Sequence, residues 1–262
     1  MDRIYRLSAG SEPFYAVDRD GELRRLELHG HHISEGYTAA DIVPAGLRGL
    51  KKLAPARPSK IVCVGLNYRD HAAEMKKALP PEPLVFFKPS TAVLNPGDPI
   101  RLPPGVGRVD HEAELAVVIG KRAHRVPQSR AWEHIFGITA LNDVTARDIQ
   151  NKETQYTRAK SFDTFAPIGP CIAVGTPGDL RGPLSVEGWV NGERRQASTT
   201  AQLIFPIDFL VEYITFVMTL EPGDIISTGT PSGVGSLVAG DVVTIRVEGV
   251  GELTNPVQDE HG

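Results

Sequence analysis

The apolar residues of this chain come in short runs, and almost every run is closed by glycine or proline. That punctuation leaves little room for long helices and demands many short strands joined by turns. IYRL, PFYAV, KIVCVG, LVFFKP, HEAELAVVIG, CIAV, LSVEGWVNGE, DIISTGTP and DVVTIRVEGVGEL all read as strands. RDGELRRLEL reads as a hairpin arm turning at Asp20-Gly21. The chain holds 26 glycines and 21 prolines, spread without a period, so the pattern is one of turns and not of a repeat. Two segments break it. In FPIDFLVEYITFVMTL the apolar positions recur every three or four residues, which predicts a helix. DHAAEMKKAL has helical composition, with Asp70 as its cap and the prolines from Pro80 to Pro83 as its stop. SRAWEHIFGITALNDVTARDIQNKE reads as helix, strand, helix. The expectation is an α+β fold, β-rich with few helices. Residues 1–55 form a small N-terminal domain, the basic LKKLAPARPSK (50–60) a linker, and residues 60–262 the main body.

Composition narrows the partners. With 28 basic and 32 acidic residues in 262, the net charge of −4 argues against nucleic acid and for a small-molecule ligand. No apolar run approaches the roughly 18 residues that span a bilayer, so no membrane partner is expected. MDRIYRLSAG lacks the apolar core of a signal peptide, and two cysteines, Cys63 and Cys171, are too few for a disulfide framework. The expectation is a cytoplasmic protein.

The chemistry concentrates in HEAELAVVIG. Glu112 and Glu114 lie two apart on a strand and share a face, while Ala113, Leu115, Val117 and Ile119 take the other. Two carboxylates so close repel unless a positive charge sits between them. Hard oxygen donors suit Mg²⁺, Mn²⁺ or Ca²⁺ and not Zn²⁺. Taken alone, the same pattern also suits an edge strand with a solvated charged face. In GITALNDVTARDIQ, a strand runs into a helix, with Thr145 and Asp148 in the form of a capping box. Asp143 then stands at the strand's end, able to give a third oxygen, and Arg147 and Gln150 share a helical face where Arg147 could grip a carboxylate. His71 and Glu74, three apart on a helix, form a pair in which the carboxylate orients the imidazole and raises its basicity.

Six segments in order, NYRDHAAEM, FFKPSTAV, DHEAELAVVIGKRA, NDVTARDIQ, AKSFDTFAPIGP and ISTGTPSGVG, resemble the fumarylacetoacetate hydrolase family. The resemblance runs from about Lys60 to the carboxyl end, and residues 1–50 resemble only the variable N-terminal piece of bacterial members. It implies a mixed β-sheet roll or sandwich with few helices, preceded by a small N-terminal α/β unit. It implies that Glu112, Glu114 and Asp143 hold Mg²⁺ or Mn²⁺, with Ca²⁺ as an alternative. It implies Lys160 as an active-site lysine, Arg147, Gln150 and Thr230 at the substrate, and Lys88 as a further pocket residue. The His71–Glu74 pair resembles a catalytic dyad carried on a lid. The implied activity is hydrolysis of a carbon–carbon bond in a small 2,4-dioxo acid through a metal-bound enolate. The same ligands would serve an isomerase of 2-hydroxyhepta-2,4-diene-1,7-dioate or a decarboxylase of an oxo diacid, and a rival of another class is a non-catalytic ligand-binding protein. A homodimer is expected by the same resemblance.

Other segments carry less. GTPSGVG lacks the G-K-[ST] ending of a phosphate loop, and there is no G-x-S-x-G elbow. His29, His31, His32, His124, His134 and His261 show no metal-like spacing, His111 beside Glu112 points to the opposite face, and Trp132 and Trp189 read as packing residues.

Overall fold

The computed structural model describes residues 1–10, 12–44 and 46–260, so His261 lies outside the described residues. Three sheets carry the chain. The path of the largest runs through strands Tyr37–Ile42, Glu22–Leu28, Phe14–Arg19, Asp2–Ser8, Ala166–Val174, Ile135–Asn142, Ala113–Ile119, Ile225–Ser227, Lys60–Gly65 and Leu84–Pro89. A five-stranded sheet runs Glu193–Thr199, Ser185–Val190, Val242–Val247, Gly251–Asp259, Ile100–Leu102. A three-stranded one joins Thr145–Ala146, Val109–His111 and Gly235–Ser236. Pairing is mostly antiparallel; Ile225–Ser227 and Lys60–Gly65 run parallel. The fold is the expected β-rich α+β body with few helices.

Strand Ala113–Ile119 is central, flanked by Ile135–Asn142 with Ala113 opposite Asn142, and by Ile225–Ser227 with Val117 opposite Ile226. Every residue in it is buried. Leu115, Val117 and Ile119 enter the largest apolar cluster, while Ala116 and Val118 pack with Ile61, Cys63 and Leu141 on the other face. The solvated-edge reading of Glu114 is therefore excluded: its strand has apolar packing on both faces and partners on both sides. Fully burying a leucine or isoleucine contributes about 1.5–3 kcal/mol, so Leu115 and Ile119 fix the register that aims Glu114.

Helix Ile207–Val217 forms as predicted and buries Ile207, Leu210, Val211 and Ile214, a stripe at helical spacing. The Asp20-Gly21 turn is also present, both residues at positive φ (52° and 88°). Several local expectations are corrected. The segment 128–133 is a 3-10 helix and not an α-helix. The basic linker is packed chain: Lys51–Leu53 pairs with Asp2–Ser8, and Ala54, Pro55 and Ala56 are buried. Among the described residues before Pro55 there is one 3-10 turn, Ile33–Glu35, and no α-helix. These strands join the main sheet directly, Asp2 opposite Val174 and Ile4 opposite Ile172.

The helix at DHAAE spans only Arg69–Glu74, with Tyr68 as its N-cap and no side-chain cap. Asp70 sits inside its first turn, accepting from the His71 amide and from Ser198 Oγ. The helix ends well before Pro80. Lys76 turns left-handed at φ 52°, its amide donates to Ala73 O, and the Lys77 amide donates to Ala72 O, a Schellman closure. Thr145 does not cap the next helix either. It lies in strand Thr145–Ala146 and its hydroxyl donates to Asp143 O, while Asp148 accepts from the Arg108 amide.

Candidate metal centre

Three strand ends meet at one point. Glu112 occupies the joint between Val109–His111 and Ala113–Ile119, Glu114 is the second residue of the latter, and Asp143 follows Ile135–Asn142. The Asp143 amide donates to Glu112 O (2.9 Å), and the Glu112 amide donates to Asn142 Oδ1 (3.0 Å), which clamps the ends together. One carboxylate oxygen from each of Glu112, Glu114 and Asp143 lies within 4.8 Å of the others, and all three side chains are buried.

Cations surround two of the three. Lys160, on the short helix Thr157–Lys160, donates to Glu112 Oε2 at 2.8 Å and Asp143 Oδ2 at 2.6 Å. Lys88 donates to Asp143 Oδ1 at 2.6 Å and Val144 O at 3.0 Å. Arg147 donates to Glu112 and Gln150, and through Nε to Asp110 Oδ2 at 2.8 Å. Burial pushes the Glu112 carboxyl up, but Lys160 and Arg147 outweigh it and hold Glu112 at about 2. Burial pushes Lys160 down, yet Asp143 and Glu112 leave it raised. Lys88 stays below its usual range because burial outweighs its pairing with Asp143.

Glu114 is different. Among the described residues no basic side chain forms an ion pair with it. It accepts from Ser227 Oγ (2.5 Å) and the Gly229 amide (2.9 Å). Burial, then Asp143 and Glu112, push its carboxyl up to about 8. A third carboxylate, beside two others and without a counter-charge of its own, fits a divalent cation held by hard oxygens. Gly229 reaches Glu114 at φ 102°, and a Cβ there would come within 2.8 Å of Asn67 Cβ, so only glycine fits this turn.

These groups form the floor of a cavity of about 360 Å³ whose wall includes His71, Arg147, Gln150, Lys160 and Thr230. His71 Nδ1 meets Glu74 Oε2 at 3.1 Å, and the Gly233 amide donates to Glu74 Oε1 at 3.1 Å. The imidazole is 13% exposed and Glu74 46%. Glu74 stands behind His71, away from the cavity wall, and Lys88 lies beneath Asp143 as its buried counter-ion. Arg147 lines the cavity, but its fork is engaged by Asp110 and Glu112.

Gln196, on strand Glu193–Thr199 of the five-stranded sheet, was not singled out from the sequence, yet it ties the site together. Its Oε1 accepts from the Ala113 amide (2.9 Å) and from His111 Nδ1 (3.0 Å). Its Nε2 donates to Thr230 Oγ1 and Pro231 O, both at 2.8 Å. The Ala113 donor fixes the amide orientation, so Nδ1 of His111 carries a proton. Thr230 passes its own proton to Ala113 O at 3.0 Å. Asp110 was likewise missed; it carries both Arg147 and Arg108. Only acidic identity beside Glu112 could have flagged it.

Residues 60–258 match the model of the fumarylacetoacetate (FAA) hydrolase C-terminal family. The chain belongs to this family. Among curated relatives, the oxaloacetate tautomerase YisK of Bacillus subtilis is 43% identical over 212 residues, covering 77% of this chain and 70% of that one. Among solved structures, the 5-carboxymethyl-2-hydroxymuconate delta-isomerase of Mycobacterium smegmatis is 42% identical with a TM-score of 0.86, covering 98% of each chain. The maleylpyruvate hydrolase of Sphingobium sp. SYK-6, in complex with manganese (II) ion and pyruvate, is 29% identical with a TM-score of 0.79, covering 98% of this chain and 99% of that one. Members of the family thus carry names for isomerisation, tautomerisation and hydrolysis, and one of these structures holds manganese. Among the described residues, no helix is long and apolar enough to cross a membrane.

Proposed function

We propose that this family member is a divalent-metal-dependent enzyme that moves a proton on a small 2-oxo acid, a keto–enol tautomerase or double-bond isomerase. The observation that carries the reading is one cavity lined both by three buried carboxylates and by an imidazole. Glu112, Glu114 and Asp143 would hold Mg²⁺ or Mn²⁺. When bound, the cation supplies Lewis-acid polarisation to the oxygens of a chelating oxo acid.

The chain's own groups do the rest. Glu74 accepts at His71 Nδ1, which leaves Nε2 as the nitrogen open to the cavity. His71 takes a proton from the carbon beside the oxo group and returns it to the position that completes the shift. Its partner carboxylate stabilises the imidazolium in between. Lys160, with Arg147, keeps Glu112 ionised and holds Asp143 by a hydrogen bond. Thr230 has its proton committed to Ala113 O, so donation to a substrate carboxylate requires its hydroxyl to turn.

A second reading is supported by the exposure of Glu74: the same dyad is open to water and could activate it against a 2,4-dioxo acid, breaking a carbon–carbon bond. A panel with Mg²⁺ or Mn²⁺ separates the two. Enol oxaloacetate and 2-hydroxyhepta-2,4-dienedioate report proton transfer by ultraviolet absorbance, and acetylpyruvate and fumarylpyruvate report cleavage by released pyruvate. Turnover of the first pair without pyruvate from the second supports the proposal. Cleavage alone replaces it with the second reading.

A further inference from the structure

A second cavity lies at the other end of the strand that begins with the metal carboxylates. It is about 550 Å³, and Val118 and Ile119 of that strand reach its wall. Its other walls come from the N-terminal strands and the turn at Ile33–Glu35, from the segment Pro55–Arg57, and from Phe136, Ile172 and Gly223 of the main body.

The N-terminal strands explain its chemistry. In the hairpin, Ile4 pairs with Val17 and Arg6 with Tyr15. Alternation puts all four on one face. Ile4 and Val17 pack into a small core with Leu26 and Ile33, and Tyr15 and Phe136 extend it. Arg6 therefore points out of an apolar face, half-buried, into the cavity. A charge so placed is ordinarily paired. Among the described residues, neither Arg6 nor Arg57 across the cavity forms an ion pair. Glu12 stands on the same wall without pairing to either. Ser34 Oγ, also on this wall, is buried with no hydrogen-bond partner. Burial outweighs the opposing effect of neighbouring Tyr15 and, with a smaller contribution from Arg57, holds the Arg6 guanidinium below its ordinary range, the direction an incoming anion would reverse.

We propose that this cavity is a second ligand site, which takes a small organic or inorganic oxyanion, a carboxylate or a phosphate, between the guanidinium forks of Arg6 and Arg57. Both forks match the planar or tetrahedral oxygens of such groups. Ser34 offers a hydroxyl donor, and Ile33 and Phe136 offer an apolar wall for a carbon skeleton. The metal centre is not part of it.

Isothermal titration of the full chain, stripped of metal and held in a chloride buffer, tests this with inorganic phosphate and with succinate as separate probes. We expect saturable binding of at least one probe at one site per chain. Arg57→Met, an exposed side chain that forms no ion pair among the described residues, weakens that binding by about ten-fold, the loss of one charge-assisted contact, and Arg6→Met does the same or more. Arg147→Met, which removes a guanidinium from the metal cavity instead, leaves it within about two-fold, since additivity holds for distant sites. The proposal is overturned if neither probe binds saturably, if Arg57→Met binds as the parent does, or if Arg147→Met abolishes binding and so assigns the anion to the metal cavity. Arg57→Met decides the matter even if Arg6→Met fails to fold.

Discussion

The floor of the metal centre and its rim are built on opposite principles. On the floor, the carboxylates of Glu112 and Asp143 are buried and locked by Lys160, Lys88 and Arg147, and each strand end is clamped to its neighbour. On the rim, His71 and Glu74 ride on a six-residue helix tied by few bonds, Asp70 to Ser198 and Glu74 to Gly233 among them. The floor cannot rearrange without exposing a buried charge, whereas the rim, among the described residues, carries no buried ion pair and leaves Glu74 46% exposed. The contrast teaches that position is fixed where charge is fixed, and that exposure is kept where the proposed reaction would move a proton and admit a substrate.

The sharpest way to break this comparison is Asp143→Asn, which leaves Lys88 and Lys160 facing each other. Removing one partner of a buried pair costs about 3–5 kcal/mol, so calorimetry should show a melting temperature lower by on the order of 10 °C, with turnover lost. Glu114→Gln is the informative companion. Glu114 has no ion-pair partner to abandon, so the metal-free protein should melt no lower than the parent. Its turnover should nonetheless fall by about 10³-fold, the rate equivalent of several kcal/mol of lost metal assistance. If both variants melt alike, the distinction between the paired and unpaired acids is wrong. On the rim, His71→Ala should lower kcat by at least about 10²-fold while leaving Mn²⁺ affinity and melting unchanged, measured by titration and calorimetry. Gln196→Leu strands the Ala113 amide, the His111 Nδ1–H and the Pro231 carbonyl, and should destabilise by about 1–3 kcal/mol in denaturant unfolding.

The smallest effect is a pH dependence. Glu114 titrates at about 8 in the fold against an ordinary 4.5, so the folded chain holds a proton that the unfolded chain has released. Its stabilising contribution is full below about 4.5 and is lost as pH rises to about 8. A cation replaces that proton, so Mg²⁺ should raise the melting temperature more at pH 8 than at pH 6. An equal rise at both would show that Glu114 does not exchange its proton for metal.

Much of this was legible in the sequence, for identifiable reasons. Glu112, Glu114 and Asp143 lie near one another along neighbouring strands, and alternation with apolar residues announced where the strand was buried. The helix Ile207–Val217 was readable because its stripe has the right period. What escaped was set by tertiary contact. Gln196 reaches Ala113 from another sheet, 83 residues away, and nothing in RRQAS marks it. Thr145 and Asp148 have the spacing of a capping box, but Thr145 is drawn into a strand with Asp110 opposite it, and that pairing overrides the local signal. The helix after Tyr68 stops at a left-handed lysine, a turn that no proline or glycine announces.

The central claim is that one divalent cation sits among three carboxylates. Anomalous diffraction from a crystal soaked in Mn²⁺ tests it most directly. One strong peak per chain is expected, in contact with Glu112, Glu114 and Asp143 together. A peak elsewhere, with Lys160 still bridging Glu112 and Asp143 and Glu114 left without a cation, would contradict it.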